Sequence, residues 1–129
     1  MKKIMNDAGS IVEEMIQGLA LSDPQLVCFP ELRVVAKKEK EDKVGLVSAG
    51  GSGHEPAHAG YVGKGMLDAA VAGNVFASPS PDQMLKGIQE ANTGKGVLMI
   101  LKNYTGDLMN FSMAKEFAEM EGITVDSVV

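Results

Sequence analysis

The sequence is short of the residues that mark several common protein classes. It holds one cysteine, Cys28, and no tryptophan in 129 residues. One thiol cannot make an internal disulfide framework. That suits a reducing compartment, and Cys28 reads as a small buried apolar residue rather than a nucleophile. Aromatic residues are only 5% of the chain, and 12 Lys and Arg face 17 Asp and Glu, for a net charge of −5. No basic stripe is visible, which argues against nucleic-acid binding, because that affinity starts with clustered cations on phosphate. No apolar run approaches the length of a membrane-spanning helix. The opening Met1 to Asp7 begins with two lysines but lacks the apolar core of a secretory signal. No membrane partner is expected, and the cytoplasm is the default location.

What is present is ordinary for a globular chain: 45% hydrophobic and 22% charged residues, enough for one domain over 1–129 with a real core. Ser10-Ile11-Val12-Glu13 has a capping-box pattern, and Ile11, Val12, Met15, Ile16 and Leu19 then repeat at helical spacing until Asp23-Pro24. Leu32 to Ala36 reads as a short strand, and Lys37 to Lys43 as a solvated, charge-mixed turn. Val44 to Val47 is a buried strand that breaks into Ser48-Ala49-Gly50-Gly51-Ser52-Gly53, where glycines permit positive φ and close approach to a ligand.

Asn74 to Ala77 reads as another short strand. Ser80, Pro81 and Gln83 then form a strong helix start, with Met84, Leu85, Ile88 and Ala91 as its apolar stripe. Val97 to Leu101 is five apolar residues in a row, as in a strand covered by helices on both faces. A helix beginning near Thr105 or Asp107, with Leu108, Phe111, Ala114, Phe117 and Ala118 inward, runs to Gly122. Ile123 to Val129 is a last strand. Segment 97–129 is therefore a βαβ unit with parallel strands. The chain stops while still apolar, which suggests that more protein follows.

Polar residues gather at two strand exits, 48–54 and 102–107. In open α/β sheets such exits hold small ligands. If the strands are parallel neighbours, Gly51, His54, Lys102 and Asp107 converge on one crevice. Glycine N–H groups and Lys102 would serve ligand oxygens, and His54 with Asp107 could move protons. Each residue alone has a plainer reading: Lys102 as a solvated strand end, Asp107 as a first-turn acid favoured by the helix dipole.

Other motifs fail. His54-Glu55-Pro56-Ala57-His58 matches H-E-x-x-H literally, but Pro56 inside it and glycines before it break the helix that zinc ligation requires. G-x-G-x-x-G is not completed after Gly51-Ser52-Gly53. The phosphate loop fails because Gly65 follows Gly63-Lys64 and His58 stands where its first glycine belongs. Gly50-Gly51-Ser52-Gly53-His54 is not a nucleophile elbow.

Three stretches together resemble the dihydroxyacetone kinase family, specifically its ketone-binding K subunit or domain: Gly50 to Pro56, Phe76 to Asp82, and Lys102 to Asp107. The likeness covers the whole chain, including the opening K-K-I-M-N-D. Ala49 departs from it, since the family commonly has a further glycine there. The resemblance implies an α/β fold with a mixed, largely parallel central sheet flanked by helices. It implies that Gly51, Ser52, Gly53, His54, Lys102 and Asp107 bind dihydroxyacetone (glycerone), with His54 and Asp107 handling protons in phosphoryl transfer.

No metal and no cofactor are implied in this chain. The phosphoryl donor, carrying ADP or ATP, belongs to an L subunit recharged by an M subunit, or to a separate ATP-binding domain. A homodimer is implied as well. The family also anchors its substrate as a hemiaminal on a later histidine. His58 comes too early to match it, and family chains are more than twice as long. The chain would then be the N-terminal portion of a K domain. The alternative is a non-catalytic ketone-binding regulator, since paralogues act as transcriptional co-activators. Purified protein is expected to hold no tightly bound zinc; stoichiometric metal by atomic absorption would restore the hydrolase reading.

Overall fold

The computed structural model describes residues 2–129; Met1, at the start of the expected 1–129 domain, lies outside the described residues. Helix α1 spans Ile11–Ser22 and buries Val12 and Ile16. Its expected capping box at Ser10 is absent. Ser10 already belongs to a 3₁₀ turn, Ala8–Ser10, so its backbone is not the extended one an N-cap needs, and it makes no cap bond. Asp7 starts that turn instead, accepting from the Gly9 N–H at 2.8 Å. Glu13 turns to Arg33, with 2.7 Å between them.

Among the described residues six strands follow: β1 Leu26–Phe29, β2 Val34–Lys37, β3 Gly45–Ser52, β4 Ala69–Val75, β5 Val97–Leu101 and β6 Val125–Val128. They form one sheet in the order β1-β2-β4-β3-β5-β6. The pairs β1–β2 and β2–β4 are antiparallel, and β4–β3, β3–β5 and β5–β6 are parallel. Helices α2 (Pro81–Ala91) and α3 (Thr105–Met120) complete the fold. The mixed, largely parallel α/β sheet is the expected fold class.

The sheet sorts its side chains by strand alternation. Val34, Ala36, Val47, Ala49, Ala69, Val71, Met99 and Leu101 face α2 and α3, against Met84, Ile88, Phe111, Ala114 and Ala118. Val35, Ala70 and Ala72 face α1 and the segment 59–67. That second cover reaches only part of the sheet. Val97, Met99 and Leu101 of β5 are buried, but Ile100 is 39% exposed, so β5 is not enclosed on both faces as its apolar run suggests.

Helix α2 starts as its sequence predicts. The Ser80 hydroxyl accepts from the Gln83 backbone N–H, and the Gln83 side-chain carbonyl oxygen, Oε1, accepts from the Ser80 N–H at 2.9 Å. The βαβ unit over 97–129 is also as expected, with β5 and β6 parallel.

Several strands differ from the sequence reading, among them the last, which spans Val125–Val128 rather than Ile123 to Val129. Strand β1 gave no recognised signal. The expected strand at 32–36 begins at Val34, because Leu32 sits in a 3₁₀ turn and Arg33 takes a left-handed φ of 55°. Of the strand expected at 74–77 only Asn74 and Val75 are extended, as the tail of the longer β4; Phe76, at φ 53°, ends it, and Ala77 lies in the turn beyond.

The charged run is not uniformly solvated. Lys37 is the last residue of β2, only 7% exposed, and its ammonium lies 3.0 Å from Asp68. Lys43 also pairs with Asp68, and the Leu46 N–H donates to it at 2.8 Å. Burial pushes the Asp68 carboxyl up, but Lys43, Leu46 and Lys37 outweigh it and hold the group below its ordinary value. Its stabilising contribution is therefore complete above the ordinary carboxylate value and is lost as pH falls through the lower folded one. Asp68→Asn is expected to cost about 3 kcal/mol in urea unfolding at neutral pH, because it takes the close partner from the buried Lys37 and leaves it only Glu41, at 3.8 Å. The loss should shrink as both proteins are taken to acid pH.

Candidate functional site

Strand β3 runs on through most of the glycine-rich stretch that the sequence suggests is a loop. Gly50 and Gly51 are inside it and have no positive φ; of this cluster only Gly53 does, at 110°. Their value is clearance. A Cβ at Gly50 would collide with Nε2 of His58 and stand 3.1 Å from Cε of Lys102. A Cβ at Gly51 would stand 2.8 Å from the Ala77 nitrogen. The missing side chains let the 76–77 backbone close in at one place and let the His58 and Lys102 side chains approach the strand at another.

Parallel pairing of β3 with β5, in register from Gly45↔Val97 to Ala49↔Leu101, sets the two polar exits side by side. Between them lies a cavity of about 370 Å³, whose walls include Gly51, His54, Phe76, Lys102, Tyr104 and Asp107. Gly51, His54, Lys102 and Asp107, the four residues whose convergence the sequence suggests, share it. Ser52 and Gly53 do not line it. The Ser52 hydroxyl is buried and donates to the Gly73 carbonyl at 2.8 Å, tying β3 to β4 at an irregularity in their register. Gly53 leaves room for the Phe76 ring.

His54 stands at the cavity wall among aromatic rings. Phe76 meets it edge-on at 5.7 Å between centroids, and Tyr104 stacks on it at 6.3 Å. The Lys102 ammonium lies 5.1 Å from the Tyr104 ring centre, within cation–π range. Asp107, in the first turn of α3, is 2% exposed. Lys102 Nζ and Asp107 Oδ1 are buried, and neither has a hydrogen-bond partner among the described residues. A polar ligand that supplies an oxygen to the ammonium and a hydroxyl to the carboxylate would satisfy both.

Residues 54–58 form turns, with the Ala57 N–H donating to the His54 carbonyl at 3.1 Å and the Gly60 N–H to the Pro56 carbonyl at 2.9 Å. The one-turn helical spacing of the two histidines that a zinc protease needs is not formed. His58 folds back instead onto Ser48, with 2.7 Å from Nδ1 to the hydroxyl. Burial first, then the Lys102 ammonium, push its imidazole down to about 4, with Asp107 opposing. Phe76, Ala77, Ser78 and Tyr104 line the cavity without having been assigned a part from sequence. Their signal was the polar, proline-punctuated stretch 78–81 and the aromatic inside the second exit.

A family model described as the Dak1 domain matches residues 17–129. The "PTS-dependent dihydroxyacetone kinase 1, dihydroxyacetone-binding subunit DhaK" of Listeria innocua is 56% identical over the whole of this chain and 40% of its own length. Among solved structures, the dihydroxyacetone kinase of C. freundii in complex with AMP-PNP and Mg2+ superposes with a TM-score of 0.91 at 42% identity, covering 98% of this chain and 25% of that one. A dihydroxyacetone kinase operon co-activator, DhaQ, gives 0.86 at 47% identity, over 91% of this chain and 36% of that one. The chain thus spans 40% or less of the length of the curated relatives named in these comparisons.

Gly50→Ala is expected to cost about 1–3 kcal/mol in urea unfolding, since His58 has to move. Gly63→Ala, where a Cβ meets nothing within 4 Å, is the control and should change stability by less than about 0.5 kcal/mol.

Proposed function

Because the chain belongs to the Dak1 domain family, we propose that it is the dihydroxyacetone-binding, N-terminal portion of a kinase that phosphorylates that ketone. The observation behind this reading is the meeting of two buried, unpartnered groups of opposite charge, Lys102 and Asp107, in one cavity beside His54. A three-carbon ketone with two hydroxyls has the size and oxygen content to answer them. The Gly51 backbone lets the ligand come close to the sheet. Lys102 donates to an oxygen. Asp107, backed by His54, takes the proton from the hydroxyl that accepts the phosphoryl group.

The phosphoryl donor is assigned to a partner: an L subunit carrying ADP and recharged by an M subunit, or an ATP-binding domain. The hemiaminal-forming histidine of the family is assigned to sequence outside these 129 residues, so this chain alone is proposed to bind rather than to turn over. A cytoplasmic location and a homodimer belong to the same reading.

The second reading, a ketone-binding co-activator, draws on the likeness to DhaQ. The kinase reading is preferred on the higher identity to the Listeria innocua kinase subunit.

The discriminating experiment places these residues in the complete polypeptide with L and M partners and assays ketone phosphorylation. Turnover is expected. Tight ketone binding without turnover would favour the regulator. Asp107→Asn is expected to lower turnover by about 100-fold or more while sparing much of the binding. Wild-type rates from that variant would remove its role as base.

A further inference from the structure

His58 has no part in the reading above, yet it is one of the most constrained side chains in the molecule. It is 8% exposed, and its Nε2 is buried without a partner among the described residues. Its tautomer follows from its neighbour. The Ser48 hydroxyl donates its single proton to the Ile100 carbonyl at 2.9 Å. It must therefore accept from His58, whose Nδ1 lies 2.7 Å away. With the proton on Nδ1, Nε2 carries a lone pair. That lone pair points at the space left by the missing side chain of Gly50, and the end of Lys102 borders the same space. Lys102 Nζ is itself buried and unpartnered among the described residues. An acceptor lacking a donor and a donor lacking an acceptor thus flank one glycine.

We propose that His58 is a positioning residue: fixed by Ser48 as the Nδ1–H tautomer, it presents Nε2 past Gly50 as the acceptor that the Lys102 ammonium, not bonded to it in this structure, takes up to settle in the cavity. This deepens the ketone-binding reading and rests on it for the identity of the ligand. The ammonium has three protons. One is open to His58, which leaves the other two for ligand oxygens. The imidazole must stay neutral for this. Burial and the adjacent ammonium favour the neutral form, pushing the ring down to about 4. The charged and titratable groups that bear on it are Lys102, Asp107, His54 and Glu55; α1 adds only Met15 and Leu19 to the cavity on its other side.

The test begins without ligand. Imidazole nitrogen NMR of the protein should find His58 with Nδ1 protonated and Nε2 bare at neutral pH. In Lys102→Met the Nε2 resonance should move and the ring should titrate at higher pH, because a donor and a positive charge are gone. An Nε2 resonance and titration unchanged in Lys102→Met would overturn the proposal. Dihydroxyacetone is then titrated calorimetrically. His58→Asn keeps a group near Nδ1 only and should weaken the ketone about tenfold, as for loss of a hydrogen bond to a charged group. His58→Gln reaches the Nε2 position and should restore affinity to within about twofold. Equal affinity in wild type and His58→Asn would overturn the positioning role. If His58→Asn fails to fold, Lys102→Met reads the same contact from the other side. Wild-type protein that shows the NMR coupling but binds no ketone would refute the substrate reading and leave the contact with Lys102 standing.

Discussion

Strand β3 carries no side chain at two consecutive positions, Gly50 and Gly51, and the surrounding structure closes in on the space they leave. On one side His58 and Lys102 come up to the backbone; on the other the chain at Phe76 and Ala77 does. Filling either position drives apart groups that belong to different elements. The same strand is also held by parallel neighbours on both sides, β4 and β5. A strand so gripped cannot shift by one residue without turning Val47 and Ala49 out of the core, since side chains alternate between faces. Tight backbone approach and fixed register together place the cavity.

Charge is distributed unevenly around that frame. At the end where β2 finishes and β4 begins, Asp68 is satisfied by two lysines and a backbone N–H. At the opposite end, the Lys102 ammonium and Asp107 Oδ1 are buried with no hydrogen-bond partner among the described residues. An unmet buried polar group costs free energy, so the two ends serve different purposes. One is a fastening, complete in itself. The other leaves polar groups unmet, and such breaks of the local rules are expected where function concentrates.

The features legible in the sequence were those set by near neighbours along the chain. The Ser80 cap, the α2 stripe of Met84, Ile88 and Ala91, and the βαβ unit from Val97 onward all follow from local spacing. The convergence of Gly51, His54, Lys102 and Asp107 was also legible, because both polar clusters directly follow apolar strands and parallel pairing does the rest. What was hidden depends on partners distant in sequence. Lys37 looks like one member of a charged run until Asp68, 31 residues later, is folded against it. The glycines look like a loop because their reason for lacking side chains, His58 and the 76–77 backbone, is not local. Ser10 had the right neighbours for a cap, but Asp7 had already started a tighter turn.

Strand β3 also sits at the middle of a folding problem. Its partner in the sheet, β5, begins about fifty residues after it, and no hairpin shortens the search. Such non-local pairings close slowly, because chain entropy is lost before contacts compensate. The cavity straddles this late-closing seam, so it cannot exist in a half-folded chain that has formed only the β1–β2 hairpin and the helices. Any molecule that fits there meets only the finished fold, and by mass action it shifts the whole population toward that fold. Small-molecule occupancy and completion of the sheet are, in this architecture, one thermodynamic event seen from two directions.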